Sequence, residues 1–388
     1  MASLKKNVEQ LRRARGLSQA ELGSRIGFKE TDFAEFLQSP PDRKETILRK
    51  LSQELLVPDF YLFSQNVSVP ESAFPDFRLS HPSRSGYERE TLRWMDLATS
   101  IRAEAEHIAP ASPSRRIKHL LPTTLPVAQA AQKFRDTVQF SHQEQLALPD
   151  ARSVFAVLRQ RIESLNVFVL QLSFPDKDGA GFCLAGALYD VIVLNTRKQS
   201  SARRLFTLAH EVYHCALGQS GVSDPLIINN AIERKCNQFA VHFLAPADLV
   251  RSVANTTIST NTFRIDELSN FSKAIKLSMH ASVLRLVETG LYSKNAVGAW
   301  QQFIRGHGDP EAPKKGGGRR QEEWKYKLAK YGFKFAEVFG EAKSRGAFDD
   351  YELYRLSGIK PKYQSDYIQK AAKARPGDAE DDEGGEDA

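Results

Sequence analysis

The run Leu205–Gly218, LFTLAHEVYHCALG, most restricts what this chain can fold into. Leu205, Leu208, Ala209, Val212 and Ala216 recur at helical spacing and make one apolar stripe, so the segment is predicted to be a helix buried along that side. On a helix, residues four apart sit one above the other, about 5–6 Å between Cβ atoms. His210 and His214 can therefore turn both imidazoles toward one cation. Glu211 projects beside that point, where it can take a proton from a bound water without filling a coordination position. The alternative is a pair of buried, hydrogen-bonded core histidines. The five-residue pattern arises by chance in a chain like this on the order of one time in a hundred, so its surroundings must add weight.

Helices are predicted near Ala128–Phe140 and Ala151–Ser164. Three runs follow, NVFVLQLSF, GFCLAGALY and DVIVLN, which are β-branched and aromatic-rich and bounded by Gly, Asp and Pro. They read as a small, mostly antiparallel sheet that floors a cleft, and the second run offers an edge to an extended substrate. The histidine helix, Ser201–Leu217, should end at Gly218. A further helix, Asn230–Leu244, is terminated by Pro246 and begins with Glu233, which offers a third ligand; its other reading is a solvated carboxylate at a helix start. Three protein ligands and an open position are the arrangement of catalytic zinc, whereas a structural site is closed by four. Asn237, one turn on, either orients a ligand through a hydrogen bond or faces solvent. His242 either stabilises a tetrahedral intermediate or is a half-exposed helix histidine.

With 388 residues and 41% apolar content, the chain is long enough for more than one core. Residues 1–63 read as short helices broken at Gly16, Gly27 and Pro40-Pro41, with Ser18 and Glu21 forming a capping box. They resemble the helix-turn-helix of Xre/Cro-type repressors. Its second helix, Lys29–Gln38, carries Glu30, Asp32 and Glu35 against one lysine, a departure from a good reader of base edges. Arg12, Arg13, Arg25 and Lys29 remain candidates for DNA contact, mainly to phosphates. The domain is thus either DNA-binding or a fold used for protein contacts. Residues 64–125 read as a connector with a helical run around Thr91–Ile108, and 126–303 as the unit holding the histidines. A Gly/Pro/basic linker (304–320), a helical appendage (321–375) and an acidic, disordered tail (376–388) complete the expected plan. The net charge is +7, and without the tail's seven carboxylates the body is near +14, which favours anionic partners. No run approaches the roughly 18 apolar residues of a membrane span, and three scattered cysteines, Cys183, Cys215 and Cys236, suit a reducing compartment. A cytoplasmic protein with no membrane partner is expected.

AHEVYH followed by ERKCNQFAVHFLAP resembles the ImmA/IrrE family of metallopeptidases, with Glu233, Cys236, Asn237, Phe239, Ala240, Leu244 and Pro246 on its second motif. The PDFR of Pro75–Arg78 and a leading helix-turn-helix are also arrangements of that family. The resemblance implies an α+β chain with a zincin-like peptidase domain, and a Zn2+ cofactor on His210, His214 and Glu233, with Glu211 catalytic. It further implies a regulatory endopeptidase acting on a protein substrate, a repressor or a neighbouring gene's product, in stress response or mobile-element control. The alternative is a helix-turn-helix regulator, or the antitoxin of a toxin–antitoxin pair, whose peptidase-like domain binds its partner without cutting it.

Overall fold

The structure, a computed structural model, describes residues 2–15, 17–38, 45–55, 57, 62–63, 87–108, 115–223, 231–311 and 322–374. Expectations for Gly16, Pro40-Pro41, the Pro75–Arg78 motif, the first part of the connector (64–86), most of the basic linker, and the acidic tail lie outside these residues. The chain divides into two units, the later boundary falling between Leu97 and Ala98.

In the first unit the helices are α1 (Ala2–Ala14), α2 (Gln19–Ile26), α3 (Glu30–Gln38), α4 (Glu45–Leu55) and the start of α5 (Arg89–Ile108). Ser18 caps α2 as expected: its hydroxyl accepts from Glu21 N at 3.1 Å, and Glu21 Oε2 accepts from Ser18 N at 2.7 Å. Gly27, at φ 92°, ends α2 in the left-handed conformation that glycine adopts without strain. The stripe Leu4, Val8, Leu11, Leu22, Ile26, Phe33, Leu37 and Leu51 closes into one core.

The second unit begins with α6 (Ile117–Leu120), α7 (Val127–Thr137), α8 (His142–Ala147) and α9 (Ala151–Glu163). Strands β1 (Val167–Leu172), β2 (Gly181–Leu184) and β3 (Asp190–Asn195) follow. Next come α10 (Ser201–Leu217), β4 (Gly221–Ser223), α11 (Ala231–Leu244), α12 (Ala247–Thr257), α13 (Ile265–Ile275), α14 (Met279–Glu288) and α15 (Asn295–His307). The last helices are α16 (Glu323–Ser344), α17 (Asp350–Ser357) and α18 (Pro361–Ala371).

The sheet is mixed, in the order β1-β3-β2-β4. The expected mostly antiparallel plan holds for two of its three pairings, β2 being antiparallel to β3 and β4, but β1 runs parallel to β3 from Val167↔Asp190 to Leu172↔Asn195. Strand β3 takes an interior position, and all six of its residues are buried, as a strand covered on both faces requires. The expectation that GFCLAGALY offers a free edge is also overturned: only Gly181–Leu184 is strand, and it is hydrogen-bonded on both sides.

Strand alternation sorts the two faces. Val167, Val169, Cys183, Ile192 and Leu194 join the core with α7, α9, α10 and α11. Phe168 points the other way, its ring 5.2 Å from Tyr189 and 6.3 Å from Phe339 of α16. The segment expected to be an appendage is therefore a layer of this unit, since α16 packs on β1 and α9 and is itself backed by α18. At Gly332 (φ 80°) α16 is kinked, and the buried Glu163 carboxylate occupies the space a Cβ would need. Glu163 Oε2 accepts from Phe333 N at 2.8 Å, capping the restarted helix. The expected linker also begins later than residue 304, because α15 continues to His307.

Candidate metal centre

Helix α10 starts at Ser200, whose hydroxyl accepts from Arg203 N at 3.3 Å, and stops at Gly218, at φ 69°. Its apolar stripe, Leu205, Leu208, Ala209 and Val212, is sunk in the core, which fixes the rotation of the helix about its axis. The histidines then face α11. His210 and His214 lie with ring centroids 4.9 Å apart, planes tilted by 56°, and Nε2 atoms 3.1 Å apart. Glu233, in the first turn of α11, brings Oε2 to 3.2 Å from His210 Nε2 and Oε1 to 3.0 Å from His214 Nε2. His210, Glu211, His214 and Glu233 are all 0% exposed.

These separations suit one shared cation. Ligand atoms at about 2.0–2.1 Å from zinc, in tetrahedral array, stand roughly 3.3 Å from each other. Asn237 faces inward, one turn beyond Glu233: its Oδ1 lies 2.8 Å from His210 Nδ1. Because that oxygen can only accept, the proton sits on Nδ1 and the Nε2 lone pair is directed at the cluster.

Glu211 is placed by contacts that sequence patterning does not show. The β2–β4 register sets Ser223 opposite Gly181, and the Ser223 hydroxyl donates to Glu211 Oε1. A Cβ at Gly181 would stand 3.2 Å from that same oxygen and 2.8 Å from Val193 O, so the glycine leaves the carboxylate its room. Glu211 Oε2 is buried with no hydrogen-bond partner, an arrangement that costs about 1–3 kcal/mol unless something else approaches it. Neither Ser223 nor Gly181 carries a sequence signal, since β4 is three residues long and one glycine among many is uninformative.

The electrostatics agree with the geometry. Burial opposes ionisation of His210, but hydrogen bonding and charge from Glu233, with Glu211 and Asn237, outweigh it and raise its pKa. For Glu233 burial pulls upward, yet the two imidazoles overcome it and hold the carboxyl below its ordinary value. Glu211 lies above the usual range, chiefly through burial, against the pull of His214, His210 and the Ser223 hydroxyl.

Two further residues need placing. Cys236, one turn from Glu233, brings Sγ within 4.8 Å of ligand nitrogens of His210 and His214, so a His-His-Cys set is also within reach of one ion. Its thiol pKa is pushed well up by burial and by the charges of Glu233 and Glu211. His242 is not brought to the cluster. It lies nine residues along α11 from Glu233, about 13 Å in rise, and its Nδ1 lies 3.3 Å from Arg285 of α14. Of its two expected readings, this placement matches the half-exposed helix histidine, here in a helix-to-helix contact.

In the first unit, Arg12 is tied to Glu9 and donates to Leu17 O at 2.6 Å. Arg25 lies 3.8 Å from both Glu54 and Glu88. Arg13 and Lys29 are exposed.

A buried cluster of two histidines and a carboxylate on facing helices, with a second carboxylate beside it, is one that could hold a metal ion. Residues 162–286, from the end of α9 into α14, match the family model described as the IrrE N-terminal-like domain, peptidase family M78. That match supports a metallopeptidase role for the domain. No curated protein matches the chain. Among the described residues, no helix is long and apolar enough to cross a membrane.

Proposed function

We propose that this chain is a regulatory zinc-dependent endopeptidase whose substrate is a repressor-like protein or a neighbouring gene's product. The observation that carries the reading is the convergence of His210 Nε2, His214 Nε2 and the Glu233 carboxylate to 3.0–3.2 Å, with Glu211 held alongside by Ser223. The donor set of two imidazoles and one carboxylate fits zinc with a position left open. Glu233 is taken as third ligand over Cys236 because its oxygens already touch both imidazoles, and because a thiol must ionise to bind a metal well. Zinc, when bound there, lowers the pKa of a coordinated water toward about 7 and polarises the carbonyl to be attacked.

The chain's own residues supply the rest. Asn237 fixes the His210 tautomer, and Ser223 occupies Glu211 Oε1, leaving Oε2 to take the proton from water. The same carboxyl then returns that proton to the leaving amine nitrogen. Burial of all four groups keeps bulk water from competing for their hydrogen bonds. A second reading, a regulator or antitoxin that binds without cutting, is favoured by the capped α2 and its close packing on α3, where a Cβ at Gly23 would lie 3.1 Å from Phe33 Cβ.

The test is incubation of the full chain with the products of flanking genes. The endopeptidase reading expects one of them to be cut at a defined bond, the cutting to stop with a chelator and to return with zinc. A partner that binds in fixed ratio and stays intact would favour the second reading.

A further inference from the structure

The seat of Glu211 hangs on a short strand pair. Gly181 of β2 and Ser223 of β4 flank its Oε1. Among the described residues these strands are joined over three residue pairs, Gly181↔Ser223, Phe182↔Val222 and Cys183↔Gly221, and β4 is last in the sheet order. A slip of one residue would turn Ser223 to the other face of the sheet and withdraw its hydroxyl from Glu211. At the Glu211 end Ala180 N donates to Ser223 O at 3.1 Å. At the far end Cys183 Sγ donates to Gln219 O at 3.2 Å, and Ala185 N donates to Ser220 Oγ at 3.0 Å.

Ala185 opens the β2–β3 loop, 185–189, and that loop is held by α5. Glu106, near the end of α5, sets one carboxylate oxygen against three successive amides. Its Oε1 accepts from Ala187 N and Leu188 N at 3.0 Å and from Tyr189 N at 3.4 Å. Arg102, one turn earlier, donates to Ala185 O at 3.0 Å. Arg116 donates to Gly186 O and, at 3.1 Å, to Asp190 Oδ1, which also accepts from Gly186 N at 3.0 Å. A Cβ at Gly186 would stand 2.8 Å from Arg102 Cδ and 2.9 Å from Glu106 Oε1, so the close fit to α5 needs a glycine there.

A surface loop can be closed by its own turn bonds alone. Here a carboxylate from another element holds three amides at once, and bonds to such an acceptor are roughly twice as strong as neutral ones. The residue that Arg102 grips, Ala185, is also the one whose N–H meets Ser220, immediately before β4. We infer that Glu106 and Arg102 are positioning residues for the base: by fixing the β2–β3 loop they set the register of β4 and, through Ser223, the place of Glu211. The inference rests on the reading of Glu211 as the base. It extends the working unit beyond the expected residues 126–303 to include the end of α5.

The test compares the full chain with Glu106→Ala, Glu106→Gln and Ser220→Ala by amide hydrogen exchange, zinc content and steady-state cleavage of the protein that the wild type cuts. In Glu106→Ala and Ser220→Ala, exchange in 219–223 should quicken about tenfold, with α10 and the zinc content unchanged. For both variants kcat should fall about three- to tenfold at constant KM. Glu106→Gln keeps an acceptor oxygen and should restore most of both properties. Exchange in Glu106→Ala that quickens in 185–189 but not in 219–223, or quickened exchange in 219–223 with kcat unchanged, would overturn the inference and leave the peptidase reading intact. If the wild type cuts nothing, the peptidase reading fails by itself, and the exchange data alone decide whether Glu106 sets β4.

Discussion

Glu211 owes its position to a residue with no side chain and to a hydroxyl from a three-residue strand. Gly181 and Ser223 meet only because β2 pairs with β4, a contact between parts of the chain some forty residues apart. His210, Glu211 and His214 lie within one helical turn, so their juxtaposition was legible from spacing alone. Glu233 was legible through the motif that opens α11, and the structure brings it to both imidazoles. The choice between the two readings of His242 was not legible, because helical patterning fixes its distance along α11 but not the neighbouring helix it meets. The Ser223 contact has a measurable consequence. Ser223→Ala leaves every candidate ligand in place but frees Glu211 Oε1, so the variant should retain metal and lose about 10–100-fold in cleavage rate. Unchanged cleavage would show that the hydroxyl does not position the base.

Helices α1, α2, α9, α10 and α11 were legible because each combines a strong apolar period with a cap or a glycine or proline stop. What escaped was short or non-local. The six residues of α8 and three of β4 are too few to show a period, and α12 begins directly after the proline that ends α11. Parallel pairing of β1 with β3 is a choice of tertiary packing that alternation cannot encode. The role of α16 as a layer on the sheet was likewise hidden, because its contact with β1 spans much of the chain. The Glu163 cap of the α16 kink makes that layer sensitive to pH. Burial raises the Glu163 carboxyl from 4.5 to about 7, against the pull of Arg159 and the N–H groups it caps. Between those values the folded protein holds a proton that the unfolded chain releases, so stability falls as pH rises from about 4.5 to 7 and is level above. Glu163→Gln removes the titrating group, and thermal unfolding of both proteins across that range isolates it. The wild type should lose midpoint relative to the variant as pH rises, and a gap that stays constant or widens in its favour would contradict the assignment.

Charge is the property of the whole chain with the plainest consequence. A body near +14 and a tail of seven carboxylates favour loose, electrostatic contact with nucleic acid. In the first unit, Arg12, Arg13 and Arg25 lie beside carboxylates of their own unit, Arg13 and Lys29 being exposed. Binding of duplex DNA should therefore fall steeply with added salt, vary little with sequence, and strengthen when Pro376–Ala388 is removed. A tight complex on one sequence that survives high salt would instead support the repressor reading. The division of labour between ligands and base is read from metal content measured alongside cleavage. Wild-type protein and Glu211→Gln should each hold about one zinc per chain, with cleavage by Glu211→Gln reduced about 10²–10⁴-fold, while His210→Ala, His214→Ala and Glu233→Gln lose the metal. A Glu211→Gln protein purified empty, or a Glu233→Gln protein that keeps its zinc while Cys236→Ala loses it, would overturn that division.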